Sequence, residues 1–361
     1  MNETGRIAML ARILGAGTEG SRAGVEVGIG DDAAVLRTDP GAARLVWTID
    51  EQVEEVHFRR GLVSWRDVGW RSFMAAASDI AAMGAAPWCA LAAIVLPDDL
   101  DDEALAEIGR GQRDAAEAIG APVVGGNLAR GKMLSIATTL LGKCERAVER
   151  GCARAGDGVW LAGRVGLAAA GLKALERSVA DGSWLEAAVQ AWRRPRALVA
   201  EGLRMAAVAH AAVDVSDGLA RDAGHMADAS GVSIVFDEAA LLADAELTAA
   251  AGALGESALD LALHGGEDYA LVVASSQAIP GFRRIGEVRR GSGFRLRGAG
   301  GERVIEAGGF DHFCAACAAP LRRGLGWTHL GAPLRLTRLE LTRLNEFHTG
   351  GARPLPPTPQ P

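Results

Sequence analysis

The chain has 361 residues, of which 49% are hydrophobic and 23% charged, and its formal net charge at pH 7 is −7. This length allows two domains, since a single hydrophobic core stops growing near ~250 to 300 residues. The acidic balance argues against a nucleic-acid partner and an anionic membrane surface, because both select clusters of Lys and Arg. The polar, arginine-containing N-terminus fits neither a signal peptide nor a membrane span, so we expect a cytoplasmic protein.

The five cysteines are scattered along the chain, which does not suit a disulfide framework, and we expect reduced thiols. Only Cys314 and Cys317 have metal-like spacing. A zinc site there would need two more ligands, for which His312 and His329 are the nearby candidates. An incidental pair is the simpler interpretation.

The first half of the chain mixes strands and helices. Residues 46–49 and 91–96 are apolar runs typical of buried strands, while residues 68–83 and 103–119 carry apolar residues at helical spacing. Residues 149–158 lose all periodicity, which indicates a domain junction near residue 150. We therefore expect an N-terminal domain over residues 1–148.

The second half alternates strands and helices, which predicts an α/β layered domain over residues 149–313. The tail over residues 314–361 ends in a Pro-rich segment that should be extended or disordered, and no role is assigned to it. The predicted helices are 195–209 and 218–229, and the predicted strands are 159–162, one ending at Asp214, 232–236, 269–273 and 282–288.

Aspartates follow apolar runs at the ends of predicted strands and the starts of loops. Several converging carboxylates need a divalent cation to offset their repulsion, and hard oxygen ligands suit Mg²⁺. For any single aspartate a turn or helix-capping role is the simpler interpretation, and Asp217 in particular could cap a helix. The set consists of Asp31, Asp32, Asp50, Asp79, Asp214 and Asp217.

The segment after the strand ending at Asp214 is suited to a phosphate. The strand period of two puts Asp214 and Ser216 on one side, before a predicted helix N-terminus. The glycine pairs Gly28 with Gly30 and Gly125 with Gly126 would let the backbone approach a nucleotide, although such pairs also form plain turns.

Two nucleotide-binding motifs are nearly matched and are rejected. Residues 126–132 resemble a P-loop, but Met133 stands where a Ser or Thr should hold Mg²⁺, and a strand pattern follows instead of a helix. Residues 28–33 fit the loose dinucleotide fingerprint, but two aspartates stand where a pyrophosphate needs donors. No nucleophile motif for covalent catalysis is present, and His57 alone could equally be structural.

Ordered motifs from Gly28 to Phe313 resemble those of the thiamine-monophosphate kinases, which share a superfamily with aminoimidazole ribonucleotide synthetase and selenophosphate synthetase. The motifs are GIGDDAAV, TIDEQVEEVHF, ASDIAAMGAAP, VGGN, ERGCARAGD, DVSDGLARDAGHMADASG, HGGEDYALV and GFDHF. The resemblance implies a two-domain α/β (α+β) fold like that of aminoimidazole ribonucleotide synthetase. In that fold the N-terminal sheets of two subunits pair into a barrel, so a homodimer is expected.

The resemblance also implies a set of site residues, with ATP as co-substrate and several Mg²⁺ ions. Its implied catalytic residues are Asp50, Asp214 and Arg150. Its implied ATP contacts are Gly126, Asn127, Arg150 and Ser216. Its implied contacts to thiamine monophosphate are His57, Glu267 and Phe310. Its implied metal ligands are Asp32, Thr48, Ile49, Asp50, Asp79, Asn127, Asp214 and Asp217.

Three positions depart from the family pattern. Asn127 replaces the Asp of a GGD motif, so one carboxylate becomes an amide that offers a carbonyl oxygen but no charge. Ile49 stands where a Thr usually precedes the Asp, and it could act as a ligand only through its backbone carbonyl. Glu55 replaces a Gly before Val-His-Phe.

The reaction implied is ATP plus thiamine monophosphate giving ADP plus thiamine diphosphate. Two alternatives stay open. One is another ATP-dependent synthetase of the superfamily, although selenophosphate synthesis would want a reactive Cys early in the chain, and no Cys precedes Cys89. The other is a nucleotide-binding homologue without catalysis, suggested by Asn127.

Overall fold

The computed structural model of the chain describes residues 5–7, 25–37, 43–305 and 308–310. The Pro-rich end of the tail, the two cysteines with metal-like spacing and their candidate histidine partners lie outside the described residues, so the expectations about them stay untested. None of the described helices is long and apolar enough to cross a membrane.

The first part of the chain forms a six-stranded sheet in the order β1-β2-β3-β6-β4-β5. All neighbouring pairs are antiparallel except β4 and β5, which are parallel. The strands predicted at 46–49 and 91–96 are the centres of longer strands. The bounds are Val25–Val27 (β1), Ala34–Leu36 (β2), Arg44–Val53 (β3), Ala86–Leu96 (β4), Val123–Arg130 (β5) and Ser135–Cys144 (β6).

Two 18-residue helices, Trp65–Ala82 (α1) and Asp102–Ile119 (α2), pack against each other beside this sheet. Each begins where the sequence supplies a cap: Ser64 Oγ accepts from the Asp67 amide and Asp101 accepts from the Ala104 amide. The helices cross closely because Gly69 and Gly111 face the other helix's backbone, where an added Cβ would lie 2.0 and 1.8 Å from a carbonyl oxygen.

The second part forms a seven-stranded sheet in the order β13-β12-β9-β11-β7-β10-β8, with only β9 and β12 parallel. Its central strands are buried on both faces, as the continuous apolar sequence of β10 requires. The strands are Gly158–Ala162 (β7), Ala211–Val215 (β8), Val232–Asp237 (β9), Ala270–Ser275 (β10), Arg283–Arg290 (β11), Gly293–Gly298 (β12) and Gly301–Ile305 (β13).

Within the residues that the structure describes, seven α-helices accompany the second sheet. The bounds are Leu167–Glu176 (α3), Leu185–Arg193 (α4), Val199–Met205 (α5), Leu219–Ser230 (α6), Glu238–Leu241 (α7), Ala245–Leu254 (α8) and Ala258–His264 (α9).

Helix α1 joins the two sheets. Its Phe73 and Ile80 belong to the core of the first sheet, while Ala81 and Ala82 pack into a cluster with β8 and β10 of the second. The end of α1 is therefore held between the sheets, which decides where the functional side chains meet.

The helix predicted over 195–209 is shorter than expected. It is reduced to α5 because tertiary contacts use the carbonyls at both of its ends: Trp70 Nε1 donates to the Pro195 carbonyl at 2.6 Å, and Arg146 Nη2 donates to the Ala209 carbonyl at 3.0 Å. Helical propensity in this segment is overridden by side chains from elsewhere in the fold.

Candidate active site

Four carboxylates from four separate elements meet where the two sheets approach, and we call them the acidic cluster. Asp32 lies between β1 and β2, Asp50 is in β3, Asp79 is near the end of α1, and Asp214 is in β8. Besides burial, the pKa of Asp79 is raised by Asp214, Asp32 and Asp50, that of Asp32 by Asp214, and that of Asp214 by Asp50, as expected of carboxylates that lie close together. The structure thus brings four of the six aspartates singled out in the sequence together within one chain.

Two other side chains contact the cluster. Thr48 Oγ1 donates to Asp79 Oδ2 at 2.5 Å and lies 3.3 Å from the Asp32 carbonyl oxygen. The Arg150 guanidinium forms an ion pair with Asp32, and the Arg150 amide donates to Asp31 Oδ2 at 3.1 Å. The Arg150 guanidinium is shared between Asp32 of the cluster and the neighbouring Asp31.

The electrostatics of the acidic cluster are unfavourable to full ionisation. Burial raises the pKa of Asp32 to about 7 against the opposing effect of Arg150. Burial, reinforced by Glu267, raises the pKa of Asp50 to about 6, and burial raises that of Asp214 to about 6. The pKa of Asp79 is also raised well above its usual value by burial and by Asp214.

The residues of the cluster fit a divalent cation, although they are not arranged as a finished metal site. Within the described ranges, no three His, Cys, Asp or Glu side chains already converge as metal ligands. Asp32 Oδ2, however, is buried without a hydrogen-bond partner in that part of the chain. An unpaired carboxylate oxygen beside carboxylates that repel one another is a set of ligands to which Mg²⁺ would bind.

The loop between β8 and α6 is held by a residue that the sequence analysis missed. The buried Asp222 Oδ2 accepts from the amides of Ser216, Asp217 and Gly218 at 3.0, 3.0 and 3.1 Å. The helix N-cap is Gly218, whose φ of 127° excludes other residues without strain, so the capping role considered for Asp217 is wrong. Asp217 instead forms an ion pair with Arg221 at 3.4 Å.

A cavity of about 640 Å³ opens beside the acidic cluster. Asp50 and Asp217 lie in its wall, so the cluster and the cavity are continuous. Its lining also includes the three residues that the family resemblance implied for the acceptor, and it extends toward α3 and α9. Those three residues are His57, Glu267 and Phe310, and the lining also contains Lys173, Trp192, Ser216 and His264.

His57 and Phe310 are fixed at the cavity wall by backbone contacts. His57 Nδ1 accepts from the Val53 amide at 2.9 Å, so the neutral imidazole carries its proton on Nε2. The Phe310 amide donates to the Asp217 carbonyl at 3.0 Å, and its own carbonyl accepts from Arg221. Phe310 therefore returns to the loop that follows β8.

Glu267 has the most elaborate support of the cavity residues. Arg71 Nη2 donates to Glu267 Oε2 at 2.5 Å, and the Tyr269 hydroxyl donates to the same oxygen at 3.0 Å. The Glu267 amide donates to the Ser216 carbonyl at 2.7 Å. The next residue, Asp268, accepts from the Gly166 amide at 2.5 Å and so ties this turn to the start of α3.

Three predicted site residues are not brought to the cluster by their side chains. The Ile49 side chain is 68% exposed on the opposite face of β3 from Thr48 and Asp50. Gly126 lies in the same row across the sheet as Asp50, three strand spacings or about 14 Å away. Asn127 is its exposed neighbour on β5. Within one chain, Gly126 and Asn127 do not reach the acidic cluster.

Sequence reasoning missed Arg71, Trp192, Asp222 and Tyr269. Two signals were available. Arg71 is a lone cation in a run of small and apolar helical residues, where burial requires a partner. Asp222 closes the motif that contains Asp214 and Asp217, five residues after the latter. Trp192 carried no comparable signal, because its position follows from the packing of α4.

Known proteins resemble this chain over both sheets. The family model for the N-terminal domain of AIR synthase related proteins matches residues 30–144, and the model for their C-terminal domain matches residues 154–298. Thiamine-monophosphate kinase from Aquifex aeolicus is 33% identical over 79% of this chain and 92% of its own length. The enzyme of that name from Mycobacterium tuberculosis is 36% identical over 81% and 87%.

A solved structure described as AaThiL complexed with AMPPCP and TMP superposes with a TM-score of 0.78 and 31% identity, covering 86% of this chain and 97% of its own. The fold is thus the mixed α/β, two-domain fold of that family. The chain belongs to the AIR synthase related family and, within it, to the thiamine-monophosphate kinases.

Proposed function

We propose that the chain transfers the γ-phosphoryl group of ATP to thiamine monophosphate, giving ADP and thiamine diphosphate. The observation that carries this proposal is the continuity of the acidic cluster with a cavity lined by His57, Glu267 and Phe310. Relatives named thiamine-monophosphate kinase, and a relative solved with AMPPCP and TMP, support it.

Mg²⁺ is the cation we propose for the acidic cluster. When bound, it would neutralise the phosphates and the charge that develops on the transferring group. The phosphate oxygens would complete a coordination shell that the protein alone leaves open. The proposed protein ligands are Asp32, Thr48, Asp50, Asp79, Asp214 and Asp217, with the backbone carbonyl of Ile49.

Arg150 and Ser216 are the proposed contacts to the ATP phosphates. Arg150 stands at the edge of the cluster, where its guanidinium could exchange Asp32 for a phosphate oxygen. Ser216 lies in the cavity wall just before the N-terminus of α6, in the loop that Asp222 holds by accepting from three of its amides. Asp50, Asp214 and Arg150 would thus act at the reacting phosphates.

The acceptor needs no strong general base. A phosphate monoester has a second pKa of about 6, so its attacking oxygen is already largely ionised near neutral pH. The protein's task is to hold the two phosphates in line and exclude water, which supports direct transfer without a phosphoenzyme. His57 through Nε2–H, Glu267 and Phe310 would hold the thiamine monophosphate.

We also propose a homodimer in which the partner supplies Gly126 and Asn127 to the ATP site. Both residues lie on the edge strand β5, far from the cluster of their own chain. The uncovered face of the same sheet exposes Trp47, Ile49 and Leu91 by 50%, 68% and 44%. Apolar area of this kind marks an interface, which supports pairing of two N-terminal sheets.

Residues 1–148 are the proposed N-terminal domain, followed by a domain over 149–313 and the tail.

The test is transfer of label from γ-³²P-ATP to thiamine monophosphate, with and without Mg²⁺. Thiamine and the aminoimidazole ribonucleotide precursor serve as parallel acceptors. Label in thiamine diphosphate only when Mg²⁺ is present supports the proposal, and transfer to another acceptor alone would favour a different synthetase. ATP binding without any transfer, restored by Asn127→Asp, would instead identify a non-catalytic homologue.

A further inference from the structure

We propose that Arg71 is a positioning residue for the acceptor substrate: together with Tyr269 it holds one oxygen of Glu267, so that the other oxygen faces the cavity. This inference rests on the proposed function, in which Glu267 contacts thiamine monophosphate, and it deepens that function by assigning the residue that aims the carboxylate.

The hydrogen bonds to Glu267 are one-sided. Arg71 Nη2 and the Tyr269 hydroxyl both donate to Oε2, at 2.5 and 3.0 Å. Neither contacts Oε1, and the Glu267 side chain remains 23% exposed at the cavity wall. Oε1 is therefore available to accept from a donor on the ligand. Such a carboxylate oxygen binds an amino group on a heteroaromatic ring or a positively charged ring.

The backbone of this turn requires an anchor. Glu267 and Tyr269 have φ angles of 69° and 49°, in the left-handed region that residues with a Cβ avoid. A turn of this kind persists only where the surroundings determine it. Arg71 and Asp268 supply side-chain contacts to this turn, and the backbone bonds to Ser216 and Val215 add to them.

Arg71 connects the same turn to two further parts of the cavity wall. Its side chain is 1% exposed, donates to the Trp192 carbonyl, and lies 4.8 Å from the Trp192 ring centroid. Its Nη2 lies 3.4 Å from the His57 carbonyl oxygen. One buried guanidinium thus fixes the positions of Glu267, His57 and Trp192, which come from three separate segments of the chain.

Packing alone does not explain an arginine at this place. A buried ion pair is no more stabilising than well-packed apolar residues of similar volume, and Arg71 Nε has no hydrogen-bond partner in the described part of the chain. The residue is better understood as the device that orients Glu267.

The kinetic test uses Arg71→Lys, which keeps the charge but cannot make the forked contacts. We expect KM for thiamine monophosphate to rise at least ~10-fold while KM for ATP stays within about twofold of wild type. The matched control is Arg194→Lys, because Arg194 also stacks on a tryptophan, Trp70, at 4.2 Å, and pairs with Asp67 at 2.9 Å, away from the cavity. Unchanged KM for thiamine monophosphate in Arg71→Lys would overturn the proposal.

A double-mutant cycle separates positioning from general destabilisation. If Arg71 acts through Glu267, adding Arg71→Lys to Glu267→Gln changes KM for thiamine monophosphate by less than about twofold. Fully additive effects would contradict the assignment.

A spectroscopic measurement makes the test independent of turnover. Tyr269 is the only tyrosine of the chain, so ¹³C-tyrosine labelling gives a single resonance beside Glu267. Arg71→Lys should shift this resonance and Arg194→Lys should not.

The failure of the proposed function and the failure of this inference are distinguishable. A wild-type protein that does not phosphorylate thiamine monophosphate would contradict the proposed function, whereas an unchanged Tyr269 resonance in Arg71→Lys would contradict the role of Arg71. If Arg71→Lys does not fold, Tyr269→Phe should still raise KM for thiamine monophosphate selectively, and a wild-type KM would overturn the two-donor anchoring.

Discussion

The acidic cluster and the Glu267 end of the cavity both depend on carboxylates, but these carboxylates have different surroundings. In the cluster, Arg150 pairs with Asp32, and burial and neighbouring carboxylates raise the pKa of Asp32, Asp79 and Asp214. Glu267 accepts hydrogen bonds from both Arg71 and Tyr269. The first arrangement leaves Asp32 Oδ2 buried without a hydrogen-bond partner in the described part of the chain, whereas in the second the carboxylate is already held by two donors. Mutations should therefore affect the two ends in separable ways.

The largest effect is expected from removing a carboxylate of the cluster. Asp50→Ala or Asp214→Ala should lower turnover at least ~10³-fold, because charge stabilisation at the transferring phosphoryl group is lost. The measurement is Mg²⁺-dependent formation of thiamine diphosphate. Asp98→Ala is the control, since Asp98 is exposed and pairs with the likewise exposed Arg130. Wild-type Mg²⁺ dependence in both variants would refute the metal assignment.

Asp222→Ala should disturb both the acidic cluster and the Glu267 end of the cavity, because the loop that Asp222 holds borders the cluster and the cavity. It removes the acceptor of three buried amides, and we expect a loss of about 3 kcal/mol in the free energy of unfolding. Denaturant titration measures this loss. Unchanged stability would show that the loop keeps its conformation without Asp222.

His57→Ala should affect the acceptor end alone. KM for thiamine monophosphate is expected to rise ~10-fold or more, with KM for ATP nearly unchanged, because one donor to the acceptor is lost. Steady-state kinetics with each substrate varied in turn provides the check. An equal rise in both constants would mean that the two ends are not separable.

The pH dependence of stability, compared between wild type and a variant at Asp214, should report the raised pKa of this carboxyl. The pKa of Asp214 is raised to about 6, so the folded protein retains a proton that the unfolded chain releases near its ordinary value of 3.8. This group therefore removes stability as pH rises through that window, and the loss is complete above about pH 6. Without Mg²⁺, Asp214→Asn should melt at a higher temperature than wild type at pH 8, with a smaller difference at pH 5.

Mg²⁺ should reverse this order at pH 8 by stabilising the wild-type protein more than the Asn variant. Differential scanning fluorimetry at the two pH values gives the comparison. Equal melting temperatures for both proteins at pH 8 without metal would contradict the raised pKa.

The smallest effect is expected at Glu55, beside the acceptor end. Its φ of 65° lies in the left-handed region, where a glycine, which the family resemblance implies for this position, is free of strain. Glu55→Gly should stabilise the fold by about 0.5 kcal/mol, since relief of strain exceeds the added chain entropy. Thermal unfolding measures it, and kinetic constants should stay unchanged. A destabilised variant would show that the Glu55 side chain contributes more than its weak contact with Arg59.

The sequence predicted the central elements of both sheets, because their apolar periodicity is local. It located α1 and α2 within a few residues, but it overextended the helix at 195–209, since the groups that end α5 come from Trp70 and Arg146. Contacts between distant residues leave no periodic signal.

For the site, the sequence by itself determined which carboxylates occur and that they follow apolar segments, and the motif order identified the family. Only the tertiary structure decided that α1 carries Asp79 between the sheets, that Asp222 holds the loop after β8, and that β5 keeps Gly126 distant from Asp50. The physical reason is that the type of each residue and the apolar periodicity are local properties of the sequence. Proximity and burial, which set the charge and reactivity of a side chain, arise only when separate elements pack together.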